Sequence, residues 1–91
     1  MTWHLYLLQC GPCIYTGITT DVEARVAAHA AGKGARFTRG RAEQRLLFQV
    51  EVGTRSEALR LERAVKRLGH AAKVDLAEGR RELPEPGRAG A

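Results

Sequence analysis

At 91 residues the chain has material for one small domain, just enough to bury a single core without disulfide or metal staples. Lys and Arg number 15 against 10 Asp and Glu, a net charge of +5, and no run approaches the roughly 18 apolar residues of a membrane span. The opening MTWHLYLLQC has no basic n-region and is interrupted by Gln9, so it does not read as a signal peptide, and a cytoplasmic protein is expected.

In chain order, Trp3 to Leu8 is short, apolar and aromatic, the composition of a strand, and stops at Gly11-Pro12. Cys13 to Thr19 (CIYTGIT) is β-branched and aromatic, which predicts a second strand and, across so tight a turn, an antiparallel hairpin. Thr20 with Glu23 three residues on predicts a capping box for an Ala-rich helix, DVEARVAAHAA, that ends at Gly32. GKGARFTRGR reads as a loop from its glycines and charge. Arg45 to Val52 predicts a third strand, broken at Gly53. From Thr54 a second helix, RSEALRLERAVKRLG, carries Ala58, Leu61, Val65 and Leu68 on one side and ends at Gly69, and HAAKVDLAEG follows as a short third helix. The expected fold is α+β, a small three-stranded antiparallel sheet flanked by helices in the order β-β-α-β-α-α, over residues 1–79. The remainder, 80–91, is rich in Pro and Gly and poor in apolar residues, and is expected to be a disordered tail.

CGPC, from Cys10 to Cys13, is spelled like the dithiol of a thioredoxin-type oxidoreductase. That chemistry needs the first Cys at the amino end of a helix, where the dipole and free N–H groups stabilise thiolate. IYTGIT is poor helix material. Glutaredoxins also place a cis-proline opposite the dithiol, whereas here the prolines after Pro12 are Pro84 and Pro86, in the expected tail. Two Cys flanking a hairpin turn read better as ordinary thiols. One CXXC without a second ligand pair does not make a zinc site.

The stretches WHLYLLQC, YTGITTDVEARVAAH, GKGARFTRGR and SEALRLERAVKRL, in that order, resemble a GIY-YIG nuclease domain, in particular the small stand-alone bacterial proteins near the branched-DNA nucleases of that superfamily. The resemblance puts Tyr6 at the tyrosine of the first half-motif and Tyr15 with Gly17 at the second. Arg25 takes the place of the family's helix arginine, His29 that of a histidine found in this branch, and Glu62 that of the metal-binding glutamate. His4 replaces the first motif's glycine, and Phe37 stands where relatives frequently have tyrosine. A metal-dependent DNA endonuclease or nuclease-like repair or recombination protein is implied, using a single Mg²⁺ or Mn²⁺. Branched or single-stranded DNA is the implied partner, without a membrane and with room for a protein partner. The rival expectation is a nucleic-acid-binding module that keeps the fold without useful activity.

Each residue also has an ordinary reading. Tyr in a strand is commonly packing with its hydroxyl at an edge, and a tyrosine base, with a reference pKa near 10, needs a nearby cation to lower it. Arg25 and His29, spaced i, i+4, share a stripe bordering Val22 and Val26, which suits a phosphate clamp and a proton-transfer aid as well as a solvated Arg and half-buried His. Glu62 falls about 40° from Ala58 on the wheel, inside the apolar arc. There it calls for a metal or for an i, i+4 ion pair with Lys66. Lys33, Arg36, Arg39 and Arg41 suit a loop tracking a phosphate backbone, and Phe37 a stacking face for an unpaired base. The same residues also suit a solvated Arg-rich surface with Phe37 as a core plug.

Overall fold

The computed structural model describes residues 2–30 and 44–84, the side chains of His29 and Ala30 excepted. Three strands, β1 (Trp3–Cys10), β2 (Cys13–Thr19) and β3 (Gln44–Gly53), form one antiparallel sheet in the order β2-β1-β3. With a strand on either side and helices over both faces, β1 has no solvated face, and Leu5, Tyr6, Leu7 and Leu8 are each 0% exposed. This is why WHLYLL is continuously apolar rather than alternating. The β1–β2 hairpin turns on Gly11-Pro12, with Cys10 and Cys13 as its last ladder pair. Gly11 has φ +61, the positive φ wanted at the first central position of a Gly-first hairpin turn.

Successive residues of β1 point to opposite faces and so build two cores. Leu5 and Leu7 pack with Leu61 and Val65 of α2 (Arg55–Lys66) and Leu76 of α3 (His70–Ala77). Tyr6, Leu8 and Cys10 pack on the other face with Val22 of α1 (Val22–Ala30), flanked by Tyr15, Val26 and Leu46. A register shift between Leu7 and Leu8 lets Leu7 oppose Phe48 while Leu8 opposes Leu46. The extra residue rephases β3, sending Leu46 to the α1 face and leaving Leu47 and Phe48 with the α2–α3 core. That explains the unbroken Leu46-Leu47-Phe48 run.

One expected cap is corrected. The N-cap of α1 is Asp21 rather than Thr20: Asp21 Oδ1 accepts from the Ala24 N–H at 3.1 Å, and its carbonyl accepts from the Arg25 N–H at 3.1 Å. A carboxylate outcompetes the hydroxyl before it, and Thr19 Oγ1 steadies the turn by accepting the Asp21 N–H at 3.1 Å. The capping box of this chain belongs to α2. Thr54 Oγ1 accepts from the Glu57 N–H at 3.1 Å, and Glu57 Oε1 accepts from the Thr54 N–H at 3.0 Å. These bonds hold the Glu57 carboxyl below its usual range.

Ile14 to Thr19, which a redox dithiol would need as helix, is strand, so the oxidoreductase reading falls. Neither thiol is in a disulfide; Cys10 is buried and Cys13 half-buried. Within the segment expected to be a tail, Arg80 donates to Asp75 at 2.8 Å and pairs with Glu78, and Leu83 packs against the α2–α3 core. Residues 85–91 lie outside the described residues. No described helix is long and apolar enough to cross a membrane.

Candidate active site

The register of the hairpin makes the site. Tyr6 opposes Gly17 and Tyr15 opposes Leu8, so the two tyrosines are diagonal neighbours on the α1 face of the sheet. Their ring centroids are 6.1 Å apart at an interplanar angle of 43°. Gly17 is glycine for steric reasons: a Cβ there would stand 2.6 Å from the Tyr6 hydroxyl oxygen, 2.7 Å from Tyr6 Cζ and 2.9 Å from Tyr15 Cε1. The Tyr6 phenol lies across the Gly17 backbone, and only the absence of a side chain lets it reach the sheet edge.

Above the rings runs α1, seated by buried Val22 and half-buried Val26. Its next stripe carries the exposed Arg25, whose guanidinium engages the Tyr6 hydroxyl and lies near Tyr15. The bond to Tyr6 holds the Arg25 pKa above its ordinary value. The Tyr6 phenol is pushed above its ordinary 10.0, first by burial, with additions from Tyr15 and Glu62, and Arg25 pulls the other way without prevailing. The cation expected to lower a tyrosine pKa is therefore present, and at Tyr6 desolvation outweighs it.

Glu62 stands on α2, which packs on the other face of the sheet. It sits beside buried Ala58 and Leu61 with its side chain 19% exposed, at the rim of the apolar face rather than inside it. Its Oε2 is 3.6 Å from Lys66 Nζ, so the anticipated i, i+4 pair is formed. Glu62 is close enough to Tyr6 to raise its pKa, which ties the carboxylate to the tyrosine pair. Among the described residues no group of three or more His, Cys, Asp and Glu converges on one point, so neither the CXXC nor Glu62 belongs to a preformed multi-ligand cage.

The structure thus brings together Tyr6, Tyr15, Gly17 and Arg25, and leaves Glu62 on α2, across the sheet and within electrostatic reach of Tyr6. His29 lies one helical turn beyond Arg25 on α1, but its side chain is outside the described residues, as are Lys33, Arg36, Phe37, Arg39 and Arg41. Thr16, Lys66 and Lys73, from three elements, line a cleft that adjoins Tyr15. Neither Thr16 nor Lys73 stood out in the sequence, because no spacing links a strand residue to lysines on two helices.

Residues 2–75 match the family model described as the GIY-YIG catalytic domain. A UPF0213 protein of Cupriavidus pinatubonensis is 56% identical over 73 residues, covering 79% of this chain and 81% of its own. A UPF0213 protein of Yersinia pestis is 53% identical over 75 residues, covering 81% of this chain and 79% of its own. The solution NMR structure of a UPF0213 protein from Bacillus halodurans superposes with a TM-score of 0.54 at 42% identity, covering 86% of this chain and 84% of that one. The chain belongs to the GIY-YIG catalytic-domain family, a nuclease superfamily whose members act on nucleic acid and generally use a divalent metal ion.

Proposed function

We propose that the protein is a divalent-metal-dependent DNA endonuclease that serves repair or recombination by hydrolysing phosphodiesters in branched or single-stranded DNA. The observation that carries the reading is Arg25 set over the tyrosine pair on the α1 face, engaging Tyr6, with the Glu62 carboxylate of α2 within electrostatic reach. Hydrolysis needs an oriented water, neutralisation of charge at the scissile phosphate, and stabilisation of the leaving oxygen.

Each need has a candidate. Tyr6, buried and protonated at neutral pH, fixes Arg25 and lends a hydroxyl rather than a base. Tyr15, half-buried and so within reach of solvent, is the phenol suited to orienting the attacking water. Arg25, with donors left over after Tyr6, clamps the phosphate oxygens. His29 assists proton transfer from the next turn of α1, while Lys33, Arg36, Arg39 and Arg41 track the backbone and Phe37 stacks on a base. Glu62 fits a hard cation of the Mg²⁺ or Mn²⁺ kind, which takes one or two carboxylates and completes its shell with waters and phosphate. When bound, such an ion supplies charge stabilisation at the leaving oxygen.

A second reading, a DNA-binding module without useful activity, is favoured by two observations: the raised Tyr6 pKa and the engagement of Glu62 by Lys66. Incubating the protein with flap, fork and four-way-junction DNA in Mg²⁺ or Mn²⁺, beside Arg25→Ala and Glu62→Ala, separates them. Endonuclease activity predicts metal-dependent cleavage lost in both variants. Binding without cleavage in either metal rejects it in favour of the module.

A further inference from the structure

Thr16 is 3% exposed, and its hydroxyl has no hydrogen-bond partner among the described residues, a costly state for a buried polar group. Opposite Leu7 in the hairpin, it stands on the α2–α3 face of the sheet, away from the tyrosine pair. There it lines a cleft of about 250 Å³ with Ile14, Tyr15, Lys66 and Lys73. Lys66 leans towards Glu62 at 3.6 Å. Lys73 is half-buried and forms no ion pair among the described residues, and burial together with nearby Lys66 holds its ammonium below the usual range. Two ammonium groups and an unpaired hydroxyl lining one cleft match an anion with several acceptor oxygens.

We infer that the Thr16–Lys66–Lys73 cleft is a phosphate subsite that takes a backbone phosphodiester of single-stranded nucleic acid flanking the one held at Arg25. It rests on the nuclease reading for the source of the phosphate. Tyr15 joins the two places, because it belongs to the tyrosine pair and also lines the cleft. The two subsites lie on opposite faces at β2, an edge strand of the sheet. Occupying both means turning round that edge, which a flexible single strand can do and a duplex with a persistence length of about 50 nm cannot.

The test is carried out without divalent metal. Amide spectra are recorded during titration with inorganic phosphate, and anisotropy of a labelled single-stranded oligonucleotide is followed across a salt series. Phosphate should shift the amides of Ile14 to Thr16 and of Lys73. Lys73→Gln should weaken oligonucleotide binding about tenfold, the worth of one charge-assisted hydrogen bond. It should also reduce the slope of log K against log salt by about 0.7. Thr16→Val, which keeps the shape, should weaken binding about threefold, the low end for a neutral hydrogen bond. Lys73→Arg should restore affinity if charge is what matters, whereas a packing role would make Gln and Arg behave alike. Affinity and slope unchanged in Lys73→Gln overturn the inference. Phosphate binding with no effect of Lys73→Gln on the oligonucleotide also overturns it, in favour of a free phosphorylated small molecule. A protein that shows the Lys73→Gln defect but cleaves no DNA keeps the subsite and loses the nuclease reading.

Discussion

Substituting Gly17→Ala tests the stacking of Tyr6 on the sheet. Gly17 lies within β2 and has no positive φ, so alanine is allowed there by the backbone. Removing a glycine in such a place stabilises by about 0.4–1 kcal/mol through the unfolded chain. Against that, the new methyl would sit 2.6 Å and 2.7 Å from two atoms of Tyr6 and 2.9 Å from one of Tyr15. Tyr6 is 0% exposed and opposed by packed neighbours, so the ring has nowhere to retreat, and overpacking of this kind costs about 1–3 kcal/mol. The net expectation is a loss of about 1–2 kcal/mol, or a Tm lower by roughly 4–16 °C in a domain of this size. Thermal unfolding by circular dichroism reads it. Because the nearest atom is the Tyr6 hydroxyl, Gly17→Ala should cost less in a Tyr6→Phe background, by about 0.5 kcal/mol or more in the double-mutant cycle. A Gly17→Ala protein as stable as the parent, or a cycle with no coupling, would refute the placement of the Tyr6 ring and with it the Arg25 contact.

Three further outcomes are expected. Burial raises the Tyr6 pKa above 10.0, so its folded form favours the protonated ring. The associated stability is complete below pH 10.0 and is lost as pH rises through the higher folded value. Tyrosinate absorbance should therefore show a phenol titrating above 10.0 that disappears in Tyr6→Phe, and its absence from the parent contradicts the burial. Thr54→Ala removes the α2 capping box and should cost about 1 kcal/mol, with Thr54→Ser restoring most of it; equal melting of all three would show the cap to be idle. An aromatic disulfide reagent should label Cys13 well before Cys10, which is buried, and changing both to Ser should leave DNA binding intact. Equal labelling rates would mean the hairpin end is not packed as described.

The strands and helices were legible because their causes are local. β-branched and aromatic runs, Gly11-Pro12 and the Ala58-Leu61-Val65 stripe each act over a few residues. That Glu62 lies on the apolar side of α2 could be read from angle alone; that it sits at the rim of that side could not. Caps were harder: Thr20-x-x-Glu23 and Thr54-x-x-Glu57 are spelled alike, but Asp21 pre-empts the first, and a spelling does not tell which oxygen wins the N–H. The bulge opposite Leu7 and Leu8 was hidden because register is a property of two strands. The pairing of Tyr6 and Tyr15 as a site came from the resemblance, since their shared face follows from the register. The lowering expected of a neighbouring cation gave way at Tyr6 because burial depth cannot be read from one strand.

The most direct test of the catalytic face is single-turnover cleavage of a branched DNA in Mg²⁺ or Mn²⁺ by Glu62→Gln and Arg25→Ala. Thermal unfolding verifies that each variant is folded. A hydrolytic centre built on Arg25 and Glu62 predicts a loss of roughly 10²-fold or more in each, the scale for removing one group that stabilises developing charge. Glu62→Gln should still bind DNA. Cleavage at the parental rate in both variants would contradict the account.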